Sequence, residues 1–174
     1  VHIEDAVGLP LAYDITEIVP GRRKGAVLRR GHRISREDIP TLKRVGKSVV
    51  YVMELDKGEV HEDDAALRLA SMLAGPGVKV EMPGEAWADI RSTLKGLLKV
   101  DVRRLLAINA IGDLLVATRH TNSSVAPGDL VAKAKVRGLA VNEERLSSAA
   151  ALVGDDPVIR VVPFRSARAG VVVT

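Results

Sequence analysis

Apolar residues along this chain fall into short runs whose period switches repeatedly between two and about 3.6. Residues 11–19 (LAYDITEIV) read as a strand, Pro20-Gly21 as a turn and residues 26–30 as a second strand. Ser35 followed by Asp38 has the spacing of a capping box, Ile39, Leu42 and Val45 repeat at helical intervals, and Gly46 supplies a stop. Pro40 falls close behind the helix start, so that helix is expected to begin late or with a tight irregular turn. Residues 48–55 (SVVYVMEL) then read as a strand.

The same grammar continues to the end of the chain. Ala66, Leu69, Ala70 and Leu73 form the inner face of a helix that Gly75-Pro76-Gly77 terminates. Residues 78–82, 86–92 and 97–100 read as a meander of three strands. Asp101 caps a helix carrying Val102, Leu105, Leu106 and Asn109 on one side, and residues 113–118 form the next strand. After the turn Pro127-Gly128-Asp129 comes a strand over 130–136. Asn142 then caps a helix with Leu146, Ala149, Ala150 and Val153, Gly154 stops it, and 158–162 is a strand.

The pattern predicts a β-rich mixed α/β fold of two small subdomains with short strands and short amphipathic helices. Residues 1–75 form a first strand-turn-strand-helix-strand unit plus a helix, 76–100 the meander and 101–168 a second unit. Ala6-Val7-Gly8 matches Ala110-Ile111-Gly112, Pro20-Gly21 matches Pro127-Gly128, Glu37-Asp38 matches Glu143-Glu144, and Val45-Gly46 matches Val153-Gly154. These matches suggest an internal pseudo-repeat, with a cleft between its halves suited to one anionic ligand.

Composition narrows the chemistry. Hydrophobic residues make up 47% of the 174 positions but aromatics only 2%, so the core must be built from Val, Leu, Ile and Ala. Cysteine is absent, which removes thiolate catalysis and Cys-ligated metal sites and fits a reducing compartment. With no apolar run long enough to span a bilayer and no signal-peptide pattern at the start, a cytoplasmic protein is expected and a membrane partner is not.

The 26 Lys and Arg against 22 Asp and Glu give a net charge of +4, which favours an anionic partner. Tyr13, Tyr51, Trp87 and Phe164 are too few and scattered for a single-strand stacking platform, and no helix-turn-helix or RNP-type motif is present. Nucleic acid is therefore not the expected partner. The positive charge is concentrated instead. Arg22, Arg23, Lys24, Arg29, Arg30 and Arg33 occur with no acid among them, a set that would attract phosphate or form a solvated basic surface.

A second cluster, Thr118 to Asn122, is the richest in hydrogen-bonding groups. Arg119, His120 and Asn122 have the donors and acceptors to orient a polar heterocycle or a phosphate, or to build a turn. His120 lacks a nucleophile elbow to complete a Ser/His/Asp triad. His61 and Asp64 lack a convincing third metal ligand, and the acids before residue 66 suit a helix N-terminus. Trp87 reads as a core plug whose N–H finds a carbonyl, with a binding face as the alternative.

Three long segments carry a family resemblance. The stretch containing AYDITEIVPG and RRGHRISREDIP, the stretch from GLLKVDVRRLLAINAIG through ATRHTN, and the terminal VVPFRSARAGVVVT together resemble the N-terminal region of prokaryotic molybdopterin-binding proteins, distant relatives of the gephyrin-type molybdenum insertases. The resemblance covers nearly the whole chain in order. It implies a non-catalytic part of a protein that handles molybdopterin or its adenylylated form in molybdenum cofactor biosynthesis, with molybdate or tungstate as inorganic partner of the full-length protein. It also implies that residues 169–174 open a C-terminal molybdopterin-binding domain. With a phosphorylated pterin as ligand, Arg22, Arg23, Arg29, Arg30 and Arg33 are expected from their charge to attract the phosphate, and Arg119, His120 and Asn122 from their hydrogen-bonding groups to orient the ligand. The Asp-Gly-Tyr-Ala pattern of typical insertases is not found. Two readings from other classes stand beside this one. The dense β-branched strands suit a homo-oligomerising structural module or a regulatory anion-binding domain, and residues 125–130 resemble turns of small β-clip modules of sugar-acid enzymes.

Overall fold

The structure is a computed structural model that describes residues 1–19, 23–84 and 86–173, with the side chains of Ile18, Val19, Arg23 and Lys24 left aside. The expected Pro20-Gly21 turn and Arg22 lie outside the described residues. The fold is mixed α/β, with short antiparallel strands in several small sheets. Contacts divide it into two units, Val1–Asp56 and Lys57–Thr174, a division that comes earlier than the boundary at residue 75 read from the sequence.

In the first unit, β1 (Ile15–Val19) pairs antiparallel with β2 (Arg23–Leu28). A turn of 3-10 helix over Arg36–Asp38 leads into α1 (Ile39–Arg44). Pro40 explains this late start. In the second position of α1 its missing N–H costs nothing, because the first four helical donors have no intrahelical acceptor anyway. The backbone N–H and Oγ of Ser35 both donate to Asp38 Oδ2, at 2.8 and 2.9 Å, and His32 Nε2 lies 2.7 Å from the same oxygen. Partial burial works against the Asp38 carboxylate, but these hydrogen bonds more than offset it and hold the carboxyl below the usual range. At the other end of α1 the Lys47 N–H reaches Leu42 O and the Gly46 N–H reaches Lys43 O, closing a Schellman motif on the positive φ of Gly46.

Residues 48–55 do not form a regular strand. They are extended but change partner. Val49 bridges His2 and the Val50 N–H donates to Val1 O, whereas Val52 bridges Leu11 and the Ala12 N–H donates to Tyr51 O. Each pairing lasts a residue or two, so no ladder propagates. The core of this unit gathers Ile3, Ala6, Leu11, Ile15, Ile34, Leu42 and Val50.

The second unit begins with β3 (Glu59–His61) running directly into α2 (Glu62–Leu73). This helix starts before the apolar spacing suggested, because His61 is its N-cap and accepts the Asp63 N–H at Nδ1. The next elements are β4 (Val78–Glu81), β5 (Trp87–Ser92), β6 (Gly96–Val100), α3 (Val102–Asn109), β7 (Leu114–Thr118) and β8 (Ser124–Val125). They are followed by β9 (Leu130–Val136), β10 (Ala140–Asn142), α4 (Glu143–Val153) and β11 (Ile159–Pro163). The Asp101 cap of α3 and the Asn142 cap of α4 both form, accepting the Arg104 and Glu144 amides. On α3 the buried residues are Leu105 and Ile108, while Val102 and Leu106 face solvent.

Strands β4-β5-β9-β7 make one antiparallel sheet and β11-β6-β8 another, so the expected three-strand meander is broken at β6. Gly96 accounts for the break. A Cβ there would stand 2.2 Å from Val162 O, so glycine alone allows β11 to run against the start of β6. The strands flanking Pro127-Gly128 also differ from those flanking Pro20-Gly21: β1 and β2 pair with each other, but β8 pairs with β6 and β9 with β5 and β7. A closer correspondence links β3-α2 with β10-α4. The two strands pair antiparallel, the Glu62 N–H donates to Leu139 O, the Glu143 N–H donates to Gly58 O, and the Arg68 guanidinium grips the Glu143 carboxylate in both directions of its fork.

The helix α2 packs its small face, Ala65, Ala66, Leu69, Ala70 and Leu73, on β5 and β9. Every buried apolar side chain of the described residues is Ile, Leu, Val or Ala, as the composition required. Among the described residues no helix is long and apolar enough to cross a membrane.

Two predictions follow from this packing and its caps. Gly77 has φ +81° and its Cβ would meet Val161 O at 2.5 Å, so Gly77→Ala is expected to cost about 3 kcal/mol and lower the thermal midpoint by roughly 10 °C. Gly84→Ala meets open space and should shift it by less than about 2 °C in the same melt. The carboxyls of Asp38, Asp101, Asp129 and Glu143 all sit below their ordinary range. A carboxyl depressed in the folded state contributes stability that is present above its unfolded pKa, about 4, and lost as pH falls through the lower folded value. The midpoint is therefore expected to be flat from about pH 7 to 5 and to drop below about pH 4, and Glu143→Gln should make that drop shallower.

Candidate functional site

The residues singled out from the sequence divide between the two units. Arg22, Arg23, Arg29, Arg30 and Arg33 belong to the first, Arg119, His120 and Asn122 to the second. Arg22 lies outside the described residues, as does the side chain of Arg23. Arg29 is exposed and has no carboxylate partner among the described residues, while the backbone N–H of Arg30 donates to Asp14 Oδ1 at 2.7 Å. Arg33 is occupied on both sides of its guanidinium, donating to Gly8 O at 2.9 Å and to Glu54 Oε1 at 2.8 Å. Acids distant in sequence thus enter a run that carries none of its own.

In the second cluster the polar side chains are largely taken up by neighbouring residues. Thr121 Oγ1 accepts the Val100 N–H, Asn122 adopts φ +67° and accepts Lys99 Nζ at 2.6 Å, and the Asn122 N–H donates to Leu98 O. This turn docks the segment on β6. Arg119 pairs with Asp129 at 3.2 Å, and the Ala126 N–H together with that guanidinium holds the Asp129 carboxyl below its usual range. His120 is exposed.

The site with the most developed geometry lies elsewhere, on the face of the β4-β5-β9-β7 sheet opposite α2. Register places Trp87 opposite Lys135 and Lys135 opposite Leu115; one step along, Asp89 faces Lys133 and Lys133 faces Ala117. Because side chains alternate along a strand, all six project from the same face. A chain of ion pairs crosses that face. Lys79 pairs with Glu81, Glu81 with Arg91 at 3.2 Å, Arg91 with Asp89 at 2.6 Å, and Asp89 Oδ1 with Lys133 Nζ at 2.9 Å. Asp89 is only 2% exposed, and its Oδ1 has Lys133 in ion-pair range without hydrogen-bond alignment. Lys133 also lies 4.6 Å from the centroid of the Trp87 ring, within cation–π range.

Trp87 is therefore a surface residue at 40% exposure, not a core plug. The indole, Asn109, Leu115, Val116, Ala117, Lys133 and Lys135 line a cavity of about 380 Å³. A second hollow of about 300 Å³ shares Ala117 and Lys133 with it and ends at Arg119. The floor is apolar and the rim cationic. Asn109, at the last turn of α3, donates Nδ2–H to Val116 O at 3.0 Å and accepts the Val116 N–H at 2.8 Å. Its amide acts as a one-residue strand neighbour, closing the edge of β7 to pairing with another chain.

Residues 1–54 match a domain of unknown function (DUF8806). The match falls within the first unit, and the cavity lies in the second. No curated protein and no solved structure matches the chain.

Sequence reasoning missed Lys133, Lys135 and Asn109 as site residues, although two signals were present. Residues 132–135 alternate Ala-Lys-Ala-Lys, and Trp87 falls in phase with Asp89 and Arg91 rather than with Ala88, Ile90 and Ser92. Period-two parity places Trp87 on the polar face. Asn109→Ala would leave the Val116 N–H and C=O without partners, so a loss of about 1–3 kcal/mol is expected in denaturant melts, together with a concentration-dependent increase in mass by light scattering as the β7 edge opens.

Proposed function

We propose that this chain is the non-catalytic N-terminal part of a molybdopterin-binding protein, cytoplasmic and acting in molybdenum cofactor biosynthesis or handling. What carries the reading is the resemblance of the segments AYDITEIVPG, RRGHRISREDIP and ATRHTN, which fall in order along the chain and in both units. The excess of positive charge and the exposed Arg29 support an anionic small molecule as partner, a phosphorylated pterin in this reading. Molybdate or tungstate would be handled by the full-length protein. Molybdopterin or its adenylylated form would meet this chain weakly, through surface cations rather than an enclosed pocket. Association of copies is part of the same reading. In the β4-β5-β9-β7 sheet, where Asn109 bonds β7, the other edge strand, β4, would be available to carry it.

The test is a titration of the 174-residue chain with a phosphorylated pterin at two salt concentrations. Binding with a Kd of roughly 0.1–1 mM is expected at low salt. Charge reversal at Arg22, Arg23 and Arg29 together should weaken it by about tenfold, and raising the salt should shrink that difference. Unchanged affinity in the triple variant removes the basic hairpin from the site, and absence of any saturable binding removes the pterin.

A further inference from the structure

The hollow beside Trp87 and its continuation towards Arg119 form one groove along β7 and β9, because both share Ala117 and Lys133. From Lys135 to Val131 it runs about 13 Å, at ~3.3 Å per strand residue. At one end lie the indole of Trp87 and the side chain of Leu115; Lys133 stands in the middle, and Arg119 closes the other end. Among the described residues of this sheet face, Lys79, Arg91, Lys133 and Lys135 face Glu81 and Asp89 alone, and those two carboxylates are spent within the ion-pair chain. Lys135 has no carboxylate partner among the described residues. The groove therefore joins a flat aromatic surface to an uncompensated cation, on an apolar floor of Leu115 and Ala117.

We infer that this groove binds a planar heteroaromatic phosphate ester, with the ring against Trp87 and Leu115 and the phosphate between Lys135 and Lys133. A ring alone would leave the lysines unused. A bare anion would gain nothing from the apolar floor, where the indole and Leu115 favour a flat apolar surface. Asp89 has a positioning role. Buried, and tied to Arg91 on one oxygen, it draws Lys133 back so that its ammonium stands over the indole, at the aromatic end of the groove. Asn109 uses one amide hydrogen and one acceptor site on Val116, which leaves a second of each at the rim for the edge of a heterocycle. The inference rests on the function proposed above only for the choice of a phosphorylated pterin, which it places in this groove of the second unit instead of at the basic hairpin of the first; its chemistry stands for any flat base carrying phosphate.

Trp87 is the sole tryptophan in the chain, so its fluorescence reports on the groove directly. The experiment titrates the 174-residue chain with a pterin phosphate ester, with AMP, with adenosine and with inorganic phosphate. Saturable quenching by a phosphorylated base is expected, with adenosine and phosphate alone binding at least about tenfold more weakly. Lys135→Glu should weaken the phosphorylated base by about tenfold with the thermal midpoint unchanged, and Arg119→Gln should weaken it by less. Quenching by AMP but not by the pterin ester upholds the groove and overturns the pterin reading. Pterin binding that survives Lys135→Glu but is lost on reversing Arg22, Arg23 and Arg29 upholds the pterin reading and overturns the groove. No saturable quenching by either base up to roughly 10 mM overturns the inference, as does a ligand-free change in emission that follows protein concentration and a doubling of mass, which would assign this face to a second copy of the chain.

Discussion

The second unit depends on a close contact between small residues. α2 presents Ala65, Ala66 and Ala70 to the sheet, and β5 and β9 answer with Ala88, Ala132 and Ala134, all buried. With methyl groups on both sides, helix and sheet approach closely, and Leu69, Leu73 and Ile90 fill what space remains at interior packing density. Truncating either leucine would cost about 2–5 kcal/mol by transfer and cavity terms together. That closeness has a second effect. An indole has no room on the inner face, so the one tryptophan of the sheet must project outward, and the outer face acquires the only large aromatic surface of this unit's regular elements.

Electrostatics on the outer face follow from the burial of Asp89. A carboxylate almost without solvent contact requires cations close by, and Arg91 and Lys133 supply them from adjacent positions. Removing either cation would leave a buried charge with half its compensation. The ion-pair chain is thus a constraint as much as a source of stability. It fixes the Lys133 ammonium over Trp87, when most surface lysines range freely, and it takes up both carboxylates that the described residues place on the face.

Local signals made much of this fold legible. Ser35/Asp38, Asp101 and Asn142 cap helices where their spacing placed them, Gly46 and Gly154 stop helices with positive φ, and Pro40 delays α1 as its missing donor demands. Each of these depends on residues within four positions of one another. Pairing partners were not legible, because they depend on what the rest of the chain brings alongside. Residues 48–55 have the content of a strand but meet two partners briefly, and β6 departs from the meander because Gly96 admits the backbone at Val162. Trp87 falls between the two cases. Residue type argued for burial and parity for the surface, and parity prevailed because Ala88 and Ile90 already held the inner positions.

The same distinction governs charge. A basic run in the sequence suggests a field proportional to its count, yet folding brings acids to it from elsewhere. Glu54 takes Arg33, Glu17 takes Arg44 and Asp129 takes Arg119, each from at least ten residues away. An exposed ion pair of this kind contributes little to stability, about 0–1 kcal/mol, but it removes most of the attraction the arginine would have exerted on a distant phosphate. What draws an anion is therefore the cation left without a carboxylate once the chain has folded. By that criterion Lys135, which no sequence cluster marks out, is a stronger anchor than Arg33, which stands in the densest basic run of the protein. It also lies beside an aromatic ring, and surface charge alone cannot give a site that second element of recognition.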